Sequence, residues 1–182
     1  MSIYGLPTLN GHRFDEALSA LQKMIRRGNE REAMYWAIEL EGQFNPHLWN
    51  RLEVISHEDI GIADIAVSAA IPVWRAQYKA FYDKKKGSSR LVLANTILAM
   101  CRAKKSRLAD EFQVVCYRDT SVHAVPDVAL DKHTLVGRSA GRGFDHFLAE
   151  GAVLANESDI HNPYTGEAEA RWRDNGKRKD EI

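Results

Sequence analysis

Phe14, Leu18, Leu21 and Ile25 recur at three- and four-residue intervals with mostly polar residues between them. That period puts them on one face of an α-helix. "RRGNER" at residues 26–31 interrupts it, and Ala33, Ala37 and Leu40, with Trp36 beside them, resume it in a second helix. Asn45-Pro46 reads as an N-cap followed by proline at the first helical position, and Leu48, Leu52 and Ile55 line a third helix. Asp64 reads as the N-cap of a fourth, which Pro72 should kink or restart, leaving Trp74, Tyr78 and Phe81 as the stripe beyond it. Ser89 is expected to cap a fifth helix carrying Leu91, Ala94, Leu98 and Cys101. "KKSR" ends that helix, and Leu108, Phe112 and Val115 mark another. Trp36, Trp49 and Trp74 are expected to anchor a core or an interface.

No region up to Cys116 alternates convincingly over six residues, so the expected fold class is all-α. Residues 10–118 read as an array of antiparallel helical hairpins joined by short links. The texture then changes. "DTSVHAVPDVAL" is a loop or extended segment, and a glycine- and arginine-containing run leads into a short helix with Phe144, Phe147 and Leu148. "NPYTGEAEARWRDNGKRKDEI" is polar and expected to fray. The expected organisation is a helical domain over residues 1–118, with 119–182 appended as loop, short helices and polar tail.

Lys plus Arg and Asp plus Glu each number 25, giving zero net charge. That argues against coating nucleic acid by bulk charge, although "KKKGSSR", "RAKKSR" and "RWRDNGKRK" can form a local basic patch, with Trp172 as a stacking platform. Taken singly, each cluster reads better as a solvated face; only the set together leaves the patch open. Two cysteines, Cys101 and Cys116, make no disulfide framework, so a reducing cytoplasm is expected. Neither a signal pattern nor an 18-residue apolar run is present, so no membrane partner is expected.

"ISHEDIGIAD" at residues 55–64 places Glu58 and Asp59 just before Gly61, where a helix is expected to stop. Carboxylates there face the negative end of the helix dipole, which costs about 0.3–1 kcal/mol each. A metal site from His57, Glu58, Asp59 and Asp64 is one reading, but adjacent helical positions diverge by about 100° and do not converge unaided. The favoured reading is a structural latch. In it, Glu58 or Asp59 accepts hydrogen bonds from backbone N–H groups near Asp64, or pairs with a cation of the "RAKKSR" turn, which contains Lys105 and Ser106. No metal is expected.

"ALSALQKMIRRGNEREAMYWAIEL", "ISHEDIGIAD" and "LANTILAMCRAKKSR" together resemble the C-terminal helical region of the MgsA/RarA replication-associated recombination ATPases, which are AAA+ proteins. The resemblance runs over residues 14–110. It is carried by Tyr35, Trp36, Glu58, Asp59, Ile60, Gly61, Ala63, Asp64, Lys105 and Ser106; Lys104 stands where the family has proline. Both turns occur together in that family, which fits a shared structural role. The resemblance implies a homo-oligomer, commonly a tetramer, acting near DNA replication, recombination or repair, with DNA or a separate ATPase as further partners. It implies no ATPase activity, because no G-x-x-x-x-G-K-[ST] run occurs in this chain. The expectation is a non-enzymatic module with no cofactor and no catalytic residue.

"DKHTLVGRSAGRG" at residues 131–143 carries the rival reading. Lys132, His133, Thr134, Arg138, Arg142 and the following His146 form a candidate phosphate or nucleic-acid site, with His133 or His146 as an acid/base in an uncharacterised enzyme. If the run is helical, Thr134, Arg138 and Arg142 share one face. The alternative is that Asp131 caps a helix, the glycines turn the chain and the arginines are solvated.

Overall fold

The computed structural model describes residues 6–84 and 87–179, with side chains to residue 174. Among the described residues the chain is helical with no strand; Pro7 and Arg13 form one isolated bridge. It divides into two units, residues 1–120 and 121–182.

In the first unit the apolar periods become α1 (Phe14–Arg26), α2 (Glu30–Glu41), α3 (Asn45–Ile55), α4 (Ile65–Asp83), α5 (Ser88–Arg102) and α6 (Leu108–Arg118). Pairing is strongest between α1 and α2 and between α4 and α5, two helical hairpins. The first is closed by backbone: Gly28 N–H donates to Ile25 and Asn29 N–H to Met24, and the Asn29 side chain then caps α2. Phe14, Leu21, Leu40, Leu48, Trp49, Leu52, Ile55, Tyr78 and Ile97 fill one shared core. Trp36 and Trp74 pack against its edge.

Several local expectations are corrected. Asn45 is the first helical residue and not the cap; its amide donates to Tyr78 Oη at 2.7 Å and to the Glu41 carbonyl, tying α3 to α4 and α2. α4 runs unbroken through Pro72 instead of restarting. Four residues earlier, Ser68 sends its hydroxyl to the carbonyls of Ser56 and Gly61. Gly87 precedes α5, and Ser89 is buried within its first turn. The buried face of α5 is Leu93, Thr96, Ile97, Met100 and Cys101, while Leu91 and Leu98 are exposed. The inward stripe of that helix is thus rotated from the expected one. α6 buries none of its residues.

The second unit contains α7 (Leu135–Ser139), α8 (Phe144–His146) and α9 (Thr165–Lys179). α9 converts most of the expected fraying tail into helix, supported by the i,i+4 pair Glu167–Arg171. No helix among the described residues is long and apolar enough to cross a membrane.

Candidate functional site

α3 does not stop at Ile55 but passes into a π-helical turn, Ser56–Ile60, followed by a 3₁₀ turn, Gly61–Asp64. Gly61 ends the π turn at φ 53°, a conformation that disfavours a side chain, and its N–H donates to Ser56. Leu48, Leu52 and Ile55 define the inward stripe of α3, and Asp59 continues it at the next four-residue step. A carboxylate therefore enters the core, where it is 1% exposed. Burial of a charge demands partners.

Arg26 of α1 is the main one. Its Nε donates to Asp59 Oδ1 at 2.6 Å, and its Nη2 donates to Asp59 Oδ2 at 3.2 Å and to Glu58 Oε1 at 3.0 Å. The hydrogen bond to Asp59 raises the Arg26 pKa above the ordinary guanidinium value and keeps the fork charged. Gln22, one turn earlier, donates to Asp59 Oδ2 at 3.1 Å and accepts from Arg51 Nη1. On the other side Arg107 Nη1 donates to Glu58 Oε1 at 3.3 Å, and its Nη2 donates to Asp110 of α6. Ser106 N–H donates to the Asp59 backbone carbonyl at 2.9 Å. The two acids thus join α1, the end of α3, the link after α5 and the start of α6.

The remaining residues of the expected latch act on other groups. Asp64 caps α4 by accepting from Val67 N–H. Lys105 does not pair with Glu58 or Asp59; its Nζ donates to the carbonyls of Met100, Cys101 and Ala103 and so caps α5. Burial lowers the Lys105 pKa below the ordinary lysine value. Burial also pushes the neighbouring Cys101 thiol up to about 11, which holds it protonated at neutral pH. His57 is exposed on the turn.

Residues 131–146 form a separate constellation. Thr134, not Asp131, caps α7, accepting from Gly137 N–H at 3.0 Å. Asp131 turns back on itself: Oδ1 accepts from His133 N–H at 2.8 Å and Oδ2 lies 2.9 Å from His133 Nδ1. The His133 hydrogen bond holds the Asp131 carboxyl below the usual range. An ionised carboxylate only accepts, so Nδ1 carries the proton. Gly137 is required by close approach, since a Cβ there would lie 1.9 Å from the Asp131 carbonyl oxygen.

α7 ends at Ser139, so Thr134, Arg138 and Arg142 do not lie along one helical face as the sequence suggested. Arg138 Nη1 donates to the Lys132 carbonyl. Arg142 Nη1 donates to the carbonyls of Asp127 and Leu130, and its Nη2 to Asp127 Oδ1 at 2.6 Å. Lys132 Nζ sits 3.6 Å from the centroid of the Phe144 ring. His146 Nδ1 is shielded from solvent without a hydrogen-bond partner among the described residues. Trp172 packs on Phe144 with the rings tilted at 33° and their centroids 5.4 Å apart, and it is 46% exposed. Lys85, Lys86 and the side chains of Lys177–Lys179, which belong to two of the basic clusters, lie outside the described residues.

The feature that periodicity alone did not reveal is the outer face of α6. Leu108, Phe112 and Val115 occupy i, i+4 and i+7 and are 54%, 66% and 70% exposed. The adjoining turn adds Ile62 at 66% and the first residue of α4, Ile65, at 67%. No protein-family model matches the chain, and no curated protein matches it. The likeness to the MgsA/RarA region therefore rests on the quoted residues alone.

Proposed function

We propose that the chain is a non-enzymatic interaction module that self-associates and serves DNA replication, recombination or repair, contacting DNA or a separate ATPase. The observation that carries self-association is α6. An 11-residue helix is marginal in water, and most helical stability comes from packing an apolar face. α6 has such a face and leaves it in solvent, while the Glu58–Arg107–Asp110 chain holds the helix start in place. Rigidly presented apolar area is what an interface requires. The link to DNA metabolism is supported by the resemblance over residues 14–110.

The rival phosphate-binding reading has less support. Arg142 directs its donors to Asp127 and Leu130, and Lys132 lies on Phe144, so both cations are engaged by the unit itself.

Light scattering gives the test. The mass at micromolar concentration should exceed that of the 20.6 kDa chain, and addition of single-stranded DNA should raise it further at low salt. A monomeric mass at every concentration refutes self-association; an unchanged mass with DNA refutes the nucleic-acid contact.

A further inference from the structure

The geometry points to a second copy of this chain as the occupant of the α6 face, with the two α6 helices antiparallel about a two-fold axis. This rests on the self-association proposed above and adds the surface, the orientation and the charges that fix it.

The stripe Leu108, Phe112 and Val115 has the 4-then-3 spacing of a helix seam. Glu111 and Arg118 are seven residues apart, so they lie along the same flank of that seam, one at each end. Both are exposed, and neither makes an ion pair among the described residues. A two-fold axis makes each patch face its own copy. In an antiparallel pair, Phe112 then lies opposite Val115 of the second copy, and Glu111 lies opposite Arg118, twice. A parallel pair would set the Glu111–Arg118 flank of one copy against the Ala109–Cys116 flank of the other, leaving both charges without a partner. The antiparallel orientation places Glu111, in the acidic first turn of one helix, beside Arg118 in the basic last turn of the other. Ile62 and Ile65, on the turn and helix start next to α6, enlarge the apolar area. Tyr117 is 87% exposed but lies half a turn away from the seam, so it takes no part.

The experiment is sedimentation equilibrium on the full chain and five variants. Phe112→Asp should give a monomer. Glu111→Arg and Arg118→Glu should each raise the dissociation constant about tenfold, since each turns two attractive pairs into repulsive ones. The double variant Glu111→Arg/Arg118→Glu should return to within about threefold of wild type, which also shows that the charge changes do not unfold the chain. Tyr117→Asp should match wild type. A wild type that associates while both single charge variants associate equally well overturns the antiparallel α6 pair and leaves self-association standing. A monomeric wild type overturns both. Loss of association in the double variant as severe as in the singles also overturns the charge pairing.

Discussion

Arg26→Ala removes the principal partner of a carboxylate that has almost no access to water. Asp59 is 1% exposed, and without Arg26 its oxygens retain the Gln22 amide at 3.1 Å and a guanidinium no closer than 3.9 Å, that of Arg107. Removing one side of a buried pair costs about 3–5 kcal/mol. Arg26 is 34% exposed, and water can enter where it stood, so the lower end applies, about 3 kcal/mol. Asp59→Ala is milder, about 2 kcal/mol, because the freed guanidinium keeps Glu58 and reaches solvent. For a unit of this size 1 kcal/mol corresponds to roughly 4 °C, so Tm should fall by about 12 °C and about 8 °C respectively.

The assay is thermal unfolding followed by far-ultraviolet circular dichroism, completed as a double-mutant cycle. The pair should couple by about 2 kcal/mol, so the double alanine variant should melt close to Arg26→Ala alone. Arg26→Met/Asp59→Leu, which replaces both charges by apolar groups, should melt higher than either single alanine variant. Glu30 is a poor surface control because Arg102 Nε donates to it at 2.6 Å; Glu32, exposed on α2, is the better one. If Arg26→Ala and Asp59→Ala both melt within about 1 °C of Glu32→Ala, Asp59 holds nothing together and the latch is refuted.

Gly137→Ala should open the 131–146 constellation, because no rearrangement short of moving the Asp131 backbone relieves a 1.9 Å contact; limited proteolysis of the full chain should cut there faster than in wild type. Arg142→Ala should have a similar effect through three lost hydrogen bonds, whereas Arg138→Ala should be close to silent; equal proteolysis of the two variants would contradict this difference. At Glu39 burial raises the pKa, but the Thr8 hydroxyl and the Asn10 donors outweigh it and hold the carboxyl below its usual value. A depressed folded pKa gives stability that is present above the unfolded value and lost as pH falls through the folded one, so wild type should lose Tm through the acidic carboxylate range and Glu39→Gln should lose less over it. A Glu39→Gln curve parallel to that of wild type across the range would refute that assignment.

Periodicity located the helices of the first unit because their cores are local: a stripe such as Phe14, Leu18, Leu21 and Ile25 needs no knowledge of its neighbour. It failed where neighbours decide. Leu91 and Leu98 are as apolar as Leu93 and Ile97, and only the fit against α4 and α2 selects which pair turns inward. Asn45 was misread for a related reason. Its side chain satisfies Tyr78, 33 residues away, instead of its own helix end.

The acidic turn shows the same limit at higher stakes. The dipole cost at residues 58 and 59 calls for compensation, and the nearby basic turn supplies part of it through Arg107, which donates to Glu58. The cation with the shortest contact, Arg26, lies 33 residues upstream, at the start of the stretch that interrupts the first apolar period. A signal was present: Asp59 falls on the register of Leu48, Leu52 and Ile55, so it was due to point inward, and Gln22 and Arg26 form a polar i,i+4 pair beside an apolar stripe. An inward acid on one helix and an inward guanidinium on another are each costly alone, and together they specify which helices meet. That pairing seats the 3₁₀ turn and, through Glu58, Arg107 and Asp110, the first turn of α6. The exposed seam is therefore tied to the buried Asp59–Arg26 pair through half-buried ion pairs at the start of α6, a helix that buries none of its own residues. It follows that Arg26→Ala should weaken self-association as well as stability, without touching the α6 face.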